Sequence, residues 1–234
     1  MNVAISGDRS SALSEELAPG THVVALARGF GHIEGIAVAP AVLGRLRVEL
    51  ARRLRGERLA RAKRRINGIM PLLTAAFGRV NADVHARSAS NDDHVTAGCS
   101  LTGALLVGNC VYLAHTGSTA AYLCRDGCVV SLTRNDAIET PAGAVLTRSI
   151  GCAPSLQLAV SSFSLNEGDA LVLARRRYTA AEEHMRQWER EASLVVRYAA
   201  GPPGVPGIRY GGHLKRITFG TVATVLFYTL LCLR

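Results

Sequence analysis

The sequence GNCVYLAHTGSTAAYL, residues 108–123, constrains the fold more tightly than any other part of the chain. It belongs to an apolar, β-rich region that begins at Leu101. Residues 120–124 and 128–132 then flank Arg125-Asp126-Gly127. An Asp-Gly pair between two apolar runs is a strong signal for a tight hairpin turn. We therefore predict antiparallel strands on both sides of this turn.

Further strands are expected on either side of this hairpin. Their candidates are residues 22–27, 157–165, 170–174 and 194–198. Residues 166–169 are predicted as a turn, and residues 180–191 as a helix. One strand, a helical region and then a run of antiparallel strands is the order typical of an α+β fold.

Residues 36–84 are predicted to be helical. The leucines of the first part recur at spacings of three and four, which places them on one face: Leu43, Leu46, Leu50 and Leu54. Gly56 is expected to interrupt this region, and Pro71 to kink its second part. The glycine-containing segment 28–35 and the polar segment 81–96 are predicted as loops.

Composition excludes several classes of protein. The chain has 234 residues, of which 48% are hydrophobic and 19% charged, so it can bury a core and is not disordered as a whole. The six cysteines include no CxxC pair and show no zinc-site spacing with histidine. Cys124 and Cys128 flank the predicted turn and could approach each other, but we expect reduced thiols.

Several blocks of the sequence resemble the PPM-type (type 2C) serine/threonine protein phosphatases. Five blocks follow the family's order, and the resemblance covers residues 22–198. The blocks are 29–32, similar to the family's glycine loop DGMGGH; 108–123, similar to GNxLYVANVGDSRAYL; 125–136, similar to RDGxxxxLTxDH; 145–151, similar to VLTRAIG; and 168–173, similar to GDxLLLCSDG.

The resemblance implies a β-sandwich flanked by helices. In the family, carboxylates at one end of the sandwich hold two Mg²⁺ or Mn²⁺ ions. Such hard cations take oxygen ligands and keep several waters. The paired ions activate a water for attack on phosphoserine or phosphothreonine, and they stabilise both the attacking and the leaving oxygen.

The sequence departs from the family pattern at the positions of these carboxylates. The metal-bridging aspartate falls on Arg28, directly before Gly29, and the aspartate of SDG falls on Arg176. The final aspartate is replaced by Glu191. The aspartate of GDS, which is not a direct metal ligand in most of the family, falls on Ser118. The family's acidic motif near the N-terminus has no counterpart here.

Arginine stays protonated in proteins, so guanidinium groups would repel the two dications. We therefore expect a pseudophosphatase: a domain without catalytic residues, bound metal or small-molecule substrate. Two alternatives stay open. One is a metal-dependent phosphatase with an altered metal site. In the other, Arg28 and Arg176 grip a phosphate without hydrolysing it, unless they are surface residues paired with Glu191 or Glu34. We expect His32 and His115 to be structural.

The C-terminal part has the composition of a linker followed by an anchor. Residues 199–212 contain three prolines and five glycines, and residues 217–233 contain no charge. As a helix this segment would span about 26 Å, slightly less than a typical hydrocarbon core. Its flanks are basic: Lys215, Arg216 and Arg234. We expect a single-pass C-terminal membrane anchor, with a terminal core helix or strand as the alternative.

The predicted organisation therefore has four parts. Residues 1–20 are a polar lead-in, 21–198 the phosphatase-like domain, 199–216 a linker with a basic flank, and 217–233 the candidate transmembrane anchor.

The net charge of +9 is concentrated in residues 45–65, which hold ten basic and two acidic residues. The cations of its central and last part are Arg52, Arg53, Arg55, Arg58, Arg61, Lys63, Arg64 and Arg65. Three interpretations stay open: a solvated helix face, a surface that docks on anionic lipid, and a site for RNA or another acidic partner.

Taken together, the sequence predicts a membrane-anchored scaffold, or a structural subunit of a membrane-associated complex, with protein partners. A short anchor suits a thin intracellular membrane, and the mitochondrial inner membrane is one candidate.

Overall fold

A computed structural model of the chain describes residues 3–4, 12–30, 32–33, 36–63, 68–89, 97–141, 143–175, 177, 194–200 and 206–209. In chain order its elements are β1 (Val3–Ala4), β2 (Ala12–Ala18), β3 (Thr21–Phe30), β4 (His32–Ile33), β5 (Ile36–Ala37), α1 (Val38–Arg53), α2 (Gly56–Lys63), α3 (Met70–Ala89), β6 (Gly98–Val107), β7 (Cys110–Thr116), β8 (Ala120–Arg125), β9 (Cys128–Ser131), β10 (Ala137–Thr140), β11 (Gly143–Leu146), β12 (Ala159–Ser164), β13 (Ala170–Ala174), β14 (Leu194–Ala200) and β15 (Pro206–Arg209).

Two antiparallel sheets form a β-sandwich. The first sheet has the strand order β12-β7-β6-β3-β2. The second has the order β1-β14-β13-β8-β9, with β15 paired to β14. Strands β10 and β11 form a separate hairpin, as do β4 and β5. The predicted mixture of helices and antiparallel strands is confirmed.

Strand β3 lies between two cores, which explains its continuous apolar sequence. Val24 and Leu26 pack into the core between the two sheets. Val23, Ala25 and Ala27 point to the opposite face and pack with the residues of α1 and α3. Successive side chains of a strand alternate between faces, so a strand covered on both sides must be apolar throughout.

The hairpin predicted at Arg125-Asp126-Gly127 is confirmed. Asp126 has φ 51° and Gly127 has φ 74°, the combination that a two-residue turn needs to match the twist of its strands. Arg125 pairs with Cys128 across the turn. The guanidinium of Arg125 donates to both carboxylate oxygens of Asp169, with Nη2 2.6 Å from Oδ2. This contact joins the hairpin to the turn before β13.

The apolar face predicted for α1 is confirmed. Its three leucines, Leu43, Leu46 and Leu50, are buried, and so is Leu54 directly after the helix. The helix ends at Arg53, and Gly56 begins α2, so the interruption falls just before the glycine.

Two predictions in the following region are wrong. Pro71 lies in the first turn of α3, where its missing N–H removes no helical hydrogen bond, so it marks a helix start and no kink. The segment 81–96 was predicted as a loop, but α3 continues to Ala89. The polar residue Asn81 does not mark a loop, because its side chain is buried and hydrogen-bonded to Gly151 and Ala153 in the loop after β11.

Sheet strands also extend into the predicted lead-in and linker. Residues 12–18 form β2, an edge strand of the first sheet, because Leu13 and Leu17 pack against the helical side of the core. Strand β3 continues through Phe30 into the predicted glycine loop. Strand β15, residues 206–209, pairs with β14 inside the predicted linker.

The helix predicted over residues 180–191 and the anchor segment 217–233 lie outside the described residues. Among the helices that the structure describes, none combines the length and the apolar character needed to cross a membrane.

Asn81 fixes the loop after β11 to α3, and its loss should destabilise the fold. Its Oδ1 accepts from the N–H of Gly151 at 2.8 Å, and its Nδ2 donates to the carbonyl of Ala153 at 2.9 Å. Asn81→Ala leaves the Gly151 N–H buried without an acceptor, so we expect a loss of about 1–3 kcal/mol in urea denaturation.

The matched control is Thr74→Ala on the same helix, whose hydroxyl bonds only to the carbonyl of Pro71. It should change stability by less than about 0.5 kcal/mol. Equal losses for the two variants would contradict the role assigned to Asn81.

Candidate functional site

Arg28 and Gly29 lie at the end of β3, at one end of the sandwich. Arg28 is exposed and faces Ser100 on β6, and Gly29 faces Cys99. A Cβ at Gly29 would come within 2.7 Å of the backbone nitrogen of Ala39, so the start of α1 approaches too closely for a side chain there. Arg28 is the exposed charged residue at this strand end.

The turn between β7 and β8 packs against Ser100, the residue opposite Arg28 in the sheet. The N–H of Ser118 donates to Ser100 Oγ at 2.9 Å, and the two hydroxyl oxygens are 3.2 Å apart. Gly117 has φ +100°, and a Cβ there would lie 2.3 Å from Ser100 Oγ. This close approach brings Ser118 to the same end of the sandwich as Arg28.

Asp136 connects this turn to two further segments. Its buried Oδ2 accepts from the N–H of Gly117 at 2.9 Å, and its Oδ1 accepts from Nη2 of Arg148. Its carbonyl accepts from both the N–H and the hydroxyl of Thr147, at 2.7 and 2.8 Å. Both carboxylate oxygens of Asp136 are thus engaged within the protein.

Arg177, after β13, reaches the same place from the other sheet. Its Nη2 donates to the carbonyl of Thr133, and its Nη1 to Ser131 Oγ at 3.2 Å. Arg134 is exposed on the same segment. Partial burial lowers the pKa of the Arg177 guanidinium, an effect that Tyr122 and Asp136 oppose only in part.

The sequence reasoning missed three arginines, Arg134, Arg148 and Arg177. The first two belong to the blocks LTRND and VLTRSIG, which were used only for the resemblance. Arg176 and Glu191, predicted at former metal positions, lie outside the described residues. The structure therefore places Arg28 and Gly29 at this end but does not describe the other two predicted positions.

His115 is buried in a polar network below this end. Its Nε2 lies 2.9 Å from the carbonyl of Arg134, so this nitrogen carries the proton, and Nδ1 accepts from Thr102 Oγ1 at 2.8 Å. Thr119 Oγ1 lies 2.8 Å from Thr102 Oγ1. Burial lowers the pKa of His115. Both ring nitrogens have partners, which supports a structural role; the side chain of His32 is outside the description.

The predicted basic segment is partly neutralised by ion pairs. Arg52 and Arg53 contact Glu49, with Arg52 Nη2 2.9 Å from Oε2. Arg55, Arg61 and Lys63 are exposed. The other predicted cations have side chains outside the description: Arg58, Arg64, Arg65, Lys215, Arg216 and Arg234.

The described residues at this end do not supply a donor set for two divalent cations. Among the described residues, no three His, Cys, Asp or Glu side chains are grouped so that they could hold a metal ion. The described position that matches the family's metal-bridging carboxylate carries Arg28, and Asp136 is already bonded to Arg148 and Gly117. The described cysteines, which exclude Cys232, are all free.

No family model matches this sequence, and no curated protein matches it. Solved structures do match its fold. The serine/threonine phosphatase of S. agalactiae is 16% identical with a TM-score of 0.61, over 82% of this chain and 96% of that one. The Mycobacterium tuberculosis serine/threonine phosphatase PstP/Ppp is 18% identical with a TM-score of 0.54, over 83% and 94%.

A third structure, the PPM Ser-Thr phosphatase MsPP from Mycobacterium smegmatis in complex with cacodylate, is 18% identical with a TM-score of 0.51, over 74% of each chain. The chain therefore has the fold of the PPM-type serine/threonine phosphatases. The resemblance drawn from the sequence blocks is confirmed at the level of the fold.

The buried neutral His115 should make stability depend on pH. Because its folded pKa lies below the ordinary value of 6.5, the unfolded chain binds more protons once the pH falls below that value. Stability should therefore decrease as the pH is lowered from 7 to 5. In His115→Asn this decrease should become shallower, measured as thermal midpoint against pH. His22, whose pKa burial also lowers, should leave a residual slope.

Both proteins must be folded for their slopes to be compared. The thermal midpoint of each protein at pH 8 is therefore measured first and used as its reference. An unchanged slope in His115→Asn would show that protonation of this histidine does not oppose folding.

Proposed function

We propose that this chain is a catalytically inactive PPM-type phosphatase-like domain that serves as a binding or structural subunit of a membrane-associated complex. The observation that carries the proposal is Arg28, exposed at the end of β3 in place of the metal-bridging carboxylate of the family. Arg134, Arg148 and Arg177 add positive charge at the same end of the sandwich.

A metal ion and an arginine guanidinium have different binding chemistry. Mg²⁺ and Mn²⁺ require oxygen ligands, and a guanidinium offers only N–H donors and a permanent positive charge. A dication at this end would therefore meet repulsion that no change in protonation within the working range of pH relieves. The fold persists because its cores do not depend on the metal ligands.

The membrane part of the proposal rests on the sequence. Residues 217–233 carry no charge, follow a Pro/Gly-rich segment and have basic residues at both ends. This arrangement favours a single-pass anchor in an intracellular membrane, and the basic segment 45–65 could then contact anionic lipid. The bound partners of such a subunit would be proteins, with RNA as a further candidate for the basic segment.

A phosphate or phosphopeptide reader that uses Arg28 and Arg176 is the second candidate. The exposure of Arg28 favours it, since a guanidinium can bind a phosphate bidentately. A metal-dependent phosphatase with an altered metal site is the third, and one experiment separates it from the other two.

Calorimetric titration of the full chain with Mn²⁺, together with hydrolysis of a phosphothreonine peptide on the same sample, tests catalytic inactivity. We expect neither stoichiometric binding nor turnover, and no gain from Arg28→Asp alone, because the other arginines stay in place. Metal binding with turnover by the unmodified protein would contradict the proposal.

Membrane extraction tests the anchor. We expect the full chain to stay with membranes in alkaline carbonate and a chain ending at Gly212 to be released. The replacement of Lys215 and Arg216 by Gln is the control for a purely electrostatic attachment: it should not release the protein. Release of the full chain by carbonate would contradict a transmembrane anchor.

A further inference from the structure

Four arginines lie on segments that meet at one end of the sandwich, here called the arginine end: Arg28, Arg134, Arg148 and Arg177. A chain of contacts joins the segments that carry them. Arg28 faces Ser100, which accepts from the N–H of Ser118. The neighbouring Gly117 donates to Asp136, which binds Arg148.

Arg177 and Arg134 join the arginine end through the segment before Asp136. Arg177 donates to the carbonyl and hydroxyl of Thr133, and the carbonyl of Arg134 lies 2.9 Å from His115 Nε2. These hydrogen bonds therefore tie the segment after β13, which carries Arg177, to the segment before Asp136, which carries Arg134.

Charge at the arginine end is unbalanced among the described residues. Asp136 is the carboxylate in contact with the set, and its oxygens are already bonded to Arg148 and Gly117. The next acid along the chain, Glu139, is exposed on β10. Partial burial of Arg177 lowers its pKa, so this cation is poorly solvated. An anionic group that arrived at this surface would be attracted by the excess of positive charge and would stabilise the partly buried Arg177 guanidinium.

Exposed apolar side chains lie next to the arginines. Ile138 and Val145 are directly opposite each other in the β10–β11 hairpin and are 55% and 51% exposed. The hairpin begins directly after Asp136, and the hydrogen bond from the N–H of Thr147 to the Asp136 carbonyl closes its base. Phe30, which follows Arg28 by two positions, is 39% exposed. Arginine and aromatic residues are the types enriched where proteins bind each other.

We propose that the arginine end, with the apolar pair Ile138 and Val145, is a docking surface for an acidic segment of a partner protein that carries apolar anchors between its carboxylates. Charge complementarity selects the acidic partner. Hydrogen bonds to the protein hold Arg148 and Arg177 in place, which suits directional pairing with carboxylates. Lipid headgroups and RNA are anionic as well, but the exposed aliphatic pair Ile138 and Val145 favours a peptide with apolar anchors, and the binding test separates the three.

This inference rests on the proposed binding function and gives that function a site and a class of partner. The two can fail separately. Turnover with Mn²⁺ would remove the proposed function, whereas the docking surface is tested by binding alone.

The test measures binding of fluorescent peptides to the full chain, kept in solution with mild detergent, by anisotropy. The probe is a peptide in which glutamates surround two leucines. One matched peptide has glutamine in place of every glutamate, and another has phosphoserine there. Anionic vesicles containing phosphatidylserine and a single-stranded RNA oligomer are the remaining probes.

The test variant is Arg28→Gln with Arg134→Gln, two exposed positions whose side chains are not needed for the hydrogen bonds described above. We expect it to weaken binding of the glutamate peptide about tenfold. The matched control, Arg55→Gln with Lys63→Gln, removes the same charge from the helical side and should stay within about twofold. Ile138→Ser with Val145→Ser should also weaken binding, and thermal midpoints establish that each variant is folded.

Three results would overturn the proposal. Equal weakening by the test and control variants would mean nonspecific attraction to net charge. Equal affinity for the glutamate and glutamine peptides would exclude an acidic partner. Dependence on Arg28 and Arg134 for vesicles, RNA or the phosphoserine peptide alone would assign the surface to that ligand class.

Discussion

The buried carboxylate of Asp136 holds together the end of the sandwich on which every functional argument depends. It receives the N–H of Gly117 from the turn between the two sheets and the guanidinium of Arg148 from beyond the β10–β11 hairpin. Its backbone bonds both to Gly117 and to Thr147. A buried carboxylate is costly unless it is paired, so Arg148 should stabilise the fold even before any ligand is considered. The other arginines of this end lie around the segment that contains Asp136, whose position these hydrogen bonds fix.

The blocks that resemble phosphatases contain residues whose work in this chain is structural. Arg125 from the hairpin block binds Asp169 from the GD block, and Asp169 in turn accepts from the N–H of Asn166 at 2.6 Å. Gly117 admits a turn in which any Cβ would collide with Ser100. These contacts join strands of the sandwich without any metal. A sequence can therefore keep them, and with them the fold, when the carboxylates at the end of the sandwich are replaced.

Local signals were sufficient for much of the fold and insufficient for the site. The turn at Asp126-Gly127 and the leucine spacing of α1 are encoded within a few residues, and both predictions are confirmed. Asn81 falls where the predicted helix and the predicted loop overlap, and its partners, Gly151 and Ala153, lie far along the chain. The arginine end was missed for the same reason: Arg134, Arg148 and Arg177 are separated in sequence and meet only through Asp136 and Thr133. Arg28 alone could be found, since the glycine loop marks its position.

The exchange of carboxylates for arginines changes what this end of the fold can do with an oxyanion. A metal ion has open coordination positions, so it can bind a water, lower its pKa and direct it at phosphorus. A guanidinium has only N–H donors, so it can hydrogen-bond a water but cannot coordinate it and lower its pKa as a metal ion does. Yet its planar donors match a carboxylate or phosphate well. Under the proposed function, Arg28 would hold an anion at the position where the family binds a metal ion, and the half-buried Arg177 would favour the same anion. Binding without turnover is the chemistry that this proposal assigns to the surface.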